Sequence, residues 1–128
     1  MKFEVDGNDG TGKSYRVAIL RQVLPTMEIK DRGLFSDATL DERIFEGDKD
    51  AVEAFRRTVR ENADVLYIIC MCSIRKSQER ILARGGSLDE EFHTEADLKK
   101  YNERFEHLLE LVTECPNVIR VETETDLP

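Results

Sequence analysis

The chain has no apolar run longer than Val65 to Cys72, far short of the roughly 20 residues of a membrane-spanning helix. Nothing in it resembles a signal peptide. It has only three cysteines, no C-x-x-C pair and no clustered histidine, which argues against a disulfide framework and a structural metal. Cys70 and Cys72 lie two apart in the apolar run and should share one side of a strand as buried free thiols. The net charge of −8 supplies no overall attraction to nucleic acid. Any such contact would need a local basic strip, such as Arg56, Arg57 and Arg60. Repeats and low-complexity segments are absent. With 128 residues, 40% hydrophobic and 36% charged, one domain over 1–128 is expected. No membrane contact is expected, and the compartment should be the cytoplasm, or the host cytoplasm for a viral protein.

Against these absences stands Gly7-Asn8-Asp9-Gly10-Thr11-Gly12-Lys13-Ser14, which fits the phosphate-binding pattern G-x-x-x-x-G-K-[ST]. Composition alone would produce it in roughly 0.002 places per chain of this kind. Glycines allow the backbone to curl N–H groups around phosphate oxygens, and a following helix points its positive end at the same place. Asn8, Asp9, Gly10, Thr11, Gly12, Lys13 and Ser14 are therefore the expected nucleotide-binding residues. Lys13 would reach the β/γ-phosphates and the Ser14 hydroxyl a bridging magnesium ion. A strand-like run, Lys2 to Val5, precedes the loop, and Val17, Leu20 and Leu24 fall on one helical face after it.

The rest of the chain alternates in the same way. Leu24-Pro25 ends the first helix and Met27–Asp31 reads as a strand with Met27 and Ile29 inward. A polar segment runs from Gly33 to about Gly47, anchored by Leu34, Phe35, Leu40, Ile44 and Phe45. A helix follows from about Asp48 to Asn62 on Val52, Phe55 and Val59. The strand Asp64–Cys72 is apolar on both faces, as a central parallel strand should be. Ser73 caps a helix in which Ile74, Ile81 and Leu82 pack, and Gly85-Gly86 stop it. Ser87 to His93 reads as a mobile stretch. Thr94, with Asp97 three positions on, starts a long helix carrying Leu98, Tyr101, Phe105, Leu108, Leu109 and Val112. Pro116 closes it, Asn117–Val121 is the last strand, and the acidic tail to Pro128 should fray. The expected fold is α/β in three layers, a reduced parallel sheet of about four strands with helices on both faces. In such sheets ligands gather at the carboxyl ends of the strands, where the Gly7 loop and Asp31 both lie.

Asp6 to Ser14 resembles the loop of thymidylate kinase and its relatives, which reads acid-Gly-x-Asp-Gly-x-Gly-Lys-[Ser/Thr]. Asp31-Arg32-Gly33 with Ser36 is similar to that family's Asp-Arg motif at the end of its next core strand. Arg80 to Arg84, with Asp89, Glu90 and Glu91, resembles its arginine-bearing lid, here about 80–94. The resemblance covers nearly the whole chain and implies the fold of P-loop kinases. Thymidylate kinases are longer between the first helix and the Asp-Arg strand, where part of their nucleoside monophosphate site lies. Here that interval is essentially Pro25-Thr26.

Roles follow as expectations. Asp31 would hold magnesium through water or accept a proton from an attacking hydroxyl. Arg32 would clamp an acceptor or a transferring phosphoryl group. Asp9, repelled by phosphates, would bind an acceptor hydroxyl or serve as base, since in the resembling family this acid faces the acceptor sugar. Arg80 and Arg84, four apart on one helical face, would neutralise charge on the transferred group, or else pair with Glu79 or Asp89 on a solvated face. His93 and His107 read as surface residues. The expected function is an ATP- and magnesium-dependent kinase of a nucleoside-like acceptor. First among acceptors is the hydroxymethyl group of 5-hydroxymethyluracil in DNA, as in the short phage kinases that look similar to thymidylate kinases. The alternatives are a minimal deoxynucleoside monophosphate kinase and an NTP-binding or ATPase module without an acceptor.

Overall fold

The computed structural model describes residues 1–126. The last two positions of the tail expected to fray, Leu127 and Pro128, lie outside the described residues. The elements are β1 (Lys2–Gly7), α1 (Lys13–Val23), β2 (Glu28–Asp31), α2 (Leu34–Thr39), α3 (Glu42–Phe45), α4 (Lys49–Glu61), β3 (Val65–Met71), α5 (Ile74–Ala83), α6 (Glu95–Leu111) and β4 (Val118–Glu122). The strands form one parallel sheet in the order β2-β1-β3-β4. Val5 pairs with Asp31 on one side and Ile68 on the other, so the strand ends that lead into the Gly7 loop, Asp31 and Ser73 lie along one edge.

β3 shows why helices cover both faces. Alternate residues of a strand point to opposite sides, and here Val65, Tyr67, Ile69 and Met71 belong to one apolar cluster while Cys70 belongs to another. The first cluster includes Phe35, Phe55, Val59, Phe105 and Leu108 from α2, α4 and α6. The second includes Val5, Ile29 and Val17 from β1, β2 and α1. All three cysteines are buried free thiols, and burial pushes those of Cys70 and Cys115 up.

Helix starts follow the local code. Asp48 accepts from the N–H groups of Asp50 and Ala51 at 3.0 and 3.1 Å. Ser73 Oγ accepts from Lys76 N at 3.1 Å and Thr94 Oγ1 from Asp97 N at 3.1 Å. Such caps satisfy N–H groups that have no partner within the helix.

Several expectations are corrected. The second strand begins at Glu28 rather than Met27 and the last at Val118 rather than Asn117. The polar segment after Gly33 holds two short helices, because Phe35 is fully buried against Phe55 (ring centroids 5.2 Å apart, edge to face) and Tyr67 (5.5 Å). Leu82 is 55% exposed; it neighbours Ile81 in sequence, but a helix turns adjacent residues about 100° apart and only Ile81 faces inward. The described part of the tail is docked rather than frayed. Thr123 is buried with its N–H on Met71 O at 2.8 Å, and Glu124 accepts from Ser73 N and Oγ at 2.8 and 2.7 Å.

Phe35→Ala should cost about 3–5 kcal/mol of stability, the usual range for emptying a buried aromatic site. Urea unfolding measures it, and a loss below about 1 kcal/mol would show that α2 does not belong to the core.

Candidate functional site

β1 delivers the chain into the glycine loop, and two glycines there meet requirements no other residue meets. Gly10 (φ 77°) and Gly12 (φ 74°) are left-handed, a conformation that costs residues with a Cβ about 1 kcal/mol or more. A Cβ on Gly10 would stand 2.4 Å from Ser77 O of α5. The first backbone bond of α1 runs from Arg16 N to Gly12 O at 3.3 Å. The N–H groups of Lys13, Ser14 and Tyr15 therefore have no helical acceptor, and the positive end of the helix dipole lies there. A pocket of ≈ 300 Å³ opens over this turn, lined by Asn8 to Tyr15 with Arg32, Arg80 and Arg84. Four cations against one acid, Asp9, make it an anion-attracting place in a chain of net charge −8.

The neighbouring strand end brings the expected partners. Lys13, buried, forms an ion pair with Asp31 through Nζ and Oδ1. Arg32 follows with φ 67° and sets its Nη2 3.0 Å from Asp9 Oδ1. Asp6 fastens these two loops together: it is fully buried, and its Oδ1 accepts from Gly33 N at 2.7 Å, Ser36 N at 3.2 Å and Ser36 Oγ. Its Oδ2 is buried without a partner among the described residues. Burial therefore pushes the Asp6 carboxyl up from its ordinary value, with the Ser36 and Gly33 bonds opposing.

A second pocket, of ≈ 160 Å³, lies on the far side of Asp9 and Arg32. It is lined by Gly7, Asn8, Asp9 and Arg32, by Ser36 to Leu40 in part, and by Phe92, Tyr101 and Phe105. The two pockets thus share Asn8, Asp9 and Arg32. Phe92 packs its ring on Tyr101 at 5.5 Å and takes φ 68°. Arg32 and Phe92 are the two non-glycine residues with positive φ among the described residues. Each such residue stores about 1–3 kcal/mol of backbone strain, and both line this pocket.

No family model and no curated protein matches this chain. What the site can do rests on its own geometry.

His93 is not the bare surface residue expected. Its ring is half-buried, Nε2 3.1 Å from Asp9 Oδ2 and Nδ1 3.1 Å from Ser87 O. Both oxygens of Asp9 are thus engaged, by Arg32 and by His93. Asn8 is a strut: its amide donates to Leu98 O at 2.8 Å and Asn102 Oδ1 at 3.1 Å, tying the loop to α6. Thr11 is buried, its hydroxyl on Asn8 O at 2.7 Å. Ser14 is exposed and lines the loop pocket.

Arg80 does reach the glycine loop, but not by pairing with Glu79 or Asp89. Its guanidinium meets Gly10 O at 3.3 Å, Asp126 Oδ1 at 3.0 Å and Thr123 O. Arg75 is the residue that pairs with Glu79, at 3.3 Å. Arg84 caps the end of α5, exposed, at the rim of the loop pocket. The supposed basic strip on α4 is largely neutralised: Arg56 pairs with Glu114 and Arg60 with Glu53, leaving Arg57 exposed.

Among the described residues, no helix is long and apolar enough to cross a membrane. Nor does any group of three or more His, Cys, Asp or Glu side chains converge as a metal cage. Magnesium at nucleotide sites takes only one or two protein oxygens beside phosphates and water. The Ser14 hydroxyl and the Asp31 carboxylate, 34% exposed, are hard oxygen donors of that kind.

His93, Phe92 and the Arg80–Asp126 contact have no local signature, since each meets its partner only through the fold. Asp6 had one: it is the acid directly before the glycine loop. An acid raised by burial favours the folded state in its protonated form. Its contribution is therefore largest below about pH 4 and declines as pH climbs toward the raised value. Asp6→Asn keeps an accepting oxygen without the charge, so its urea midpoint should improve relative to wild type as pH rises above about 4. A pH-independent difference would mean that Asp6 does not titrate there.

Proposed function

We propose that the protein is an ATP- and magnesium-dependent phosphotransferase of the P-loop kinase kind, acting on a nucleoside-like alcohol. The hydroxymethyl group of 5-hydroxymethyluracil in phage DNA is the first-choice acceptor. One observation carries this: two pockets of opposite chemistry share the wall formed by Asn8, Asp9 and Arg32. The loop pocket is ringed by cations, as a triphosphate tail requires. The other is aromatic, and its one cationic lining residue among those described, Arg32, is already committed to Asp9. A free nucleoside monophosphate would bring a phosphate group with little to receive it there, whereas a planar base bearing a hydroxyl needs no such charge. The likeness of the loop and of Asp31-Arg32 to thymidylate kinases supports the kinase class rather than the choice of acceptor.

In this reading the donor phosphates lie along the glycine loop and the first turn of α1, with Lys13 drawn to the β/γ-oxygens. Ser14 and Asp31 would hold magnesium, whose charge would neutralise the same oxygens. Asp9 orients the acceptor hydroxyl. The hydroxyl oxygen bonds to the γ-phosphorus, the bond from that phosphorus to the bridging oxygen breaks, ADP leaves, and the hydroxyl proton passes to the Asp9 carboxylate. Arg80 and Arg84 stand at the pocket wall to offset charge on the transferred group. Asp31 serves by position rather than as a base: once Lys13 turns to the phosphates, its carboxylate is left to the magnesium it would hold. Catalysis is then mostly positioning and charge stabilisation. A base within DNA must leave its stack to enter the aromatic pocket.

Labelled ATP with magnesium, offered in turn to DNA containing 5-hydroxymethyluracil, unmodified DNA and each deoxynucleotide, tests the reading. Label on the modified DNA alone is the expected result. Label on free nucleotides would make it a monophosphate kinase, and free phosphate without a labelled acceptor an ATPase module. Lys13→Ala should lower transfer by at least about 100-fold, and retained turnover would remove the donor pocket from the scheme. Asp31→Asn should depress kcat far more than it weakens ATP binding; equal losses would assign it to metal holding alone.

A further inference from the structure

We infer that His93 is a positioning residue: it clamps the segment 87–93 onto Asp9 and so sets the carboxylate that meets the acceptor. The inference rests on the phosphotransferase reading for its consequence, while the clamp itself stands on geometry. Asp9 is held from two other parts of the chain. Arg32, after β2, takes Oδ1 at 3.0 Å, and His93, between α5 and α6, takes Oδ2 at 3.1 Å. Side-chain exposure is 19% for Asp9 and 13% for His93, so water and salt screen this contact less than a surface pair.

The ring is fixed at its other nitrogen as well. Nδ1 lies 3.1 Å from Ser87 O and 3.5 Å from Glu90 Oε2. Nε2 faces Asp9 and Nδ1 faces Ser87 O, so the ring is gripped from both sides. The charged groups around it are Asp9 on the glycine loop, Arg32 beyond that carboxylate, Glu90 on its own segment, and Asp97 on α6, which takes Phe92 N at 3.0 Å. The residue before His93 is the strained Phe92, whose ring closes on Tyr101 over the aromatic pocket. Holding His93 on Asp9 therefore also holds Phe92 over the place where the acceptor base would lie. Loss of the ring frees the segment and leaves Asp9 tied to Arg32 alone.

Hydrogen exchange on the nucleotide-free protein reads the clamp without any activity. The segment carries bonded amides to follow: Asp89 N on Ser87 Oγ, Phe92 N on Asp97 and His93 N on Glu90 O. His93→Ala should speed exchange across 87–93 by about tenfold and leave β1 and β3 unchanged. His93→Gln should fall between, since its amide donates to Asp9 without charge. In transfer from Mg·ATP to an oligonucleotide containing 5-hydroxymethyluracil, His93→Ala should raise the KM for the oligonucleotide about tenfold while moving the KM for ATP less than about twofold. Unchanged exchange in His93→Ala, or an equal rise in both KM values, overturns the clamp. If no acceptor is ever labelled while exchange behaves as expected, the clamp stands and the transferase reading falls.

Discussion

One buried carboxylate joins the two strand ends on which the candidate site is built. Asp6 closes β1, and its single accepting oxygen gathers the Gly33 and Ser36 N–H groups and the Ser36 hydroxyl from the turn after β2. Beyond strand pairing, the other side-chain tie from β1 to this turn is Glu4, which accepts from Leu34 N at 2.8 Å, and Asp6 is the one that lies next to the glycine loop. With it, Lys13 meets Asp31 and Arg32 meets Asp9. Taking a carboxylate out of water is costly, and the pull of burial on Asp6 is the mark of that cost. A buried acid kept beside the glycine loop is a device for holding the backbone in place.

Electrostatically, most cations of the loop pocket are paired before any anion enters. The chain is acidic, yet cations gather at the loop pocket, and three of them already have an acid: Asp31 for Lys13, Asp9 for Arg32 and Asp126 for Arg80. These pairs hold the cations in defined places and limit their mutual repulsion. An incoming anion would draw Lys13 from Asp31 rather than organise a loose side chain, and such pre-placement reduces the ordering cost of binding. The acids come from three distant parts of the chain, so the balance belongs to the fold.

Much of the architecture could be read along the chain because its signals are local. The glycine pattern, the capping residues Asp48, Ser73 and Thr94, and the double-sided apolar run of β3 each act within a few residues, and each appears where expected. The segment after Gly33 could not be read this way, since its helices are short and polar and exist chiefly because Phe35 finds Phe55 and Tyr67. The tail misled for the same reason: an acidic stretch looks solvated until Ser73, Lys76 and Arg80 are placed beside it.

By itself, the sequence determined the alternation of strands and helices, the left-handed glycines of the loop, and the places of Lys13 at the start of a helix and Asp31 at the end of a strand. Periodicity and backbone sterics decide these over one or two turns of chain. Only the tertiary structure decided that His93 meets Asp9 across 84 positions (93 − 9 = 84), that Asn8 is a strut to α6, and that two pockets share one wall. Such contacts depend on how helices settle on the sheet, and settling is governed by burial summed over the whole core, which no local pattern encodes.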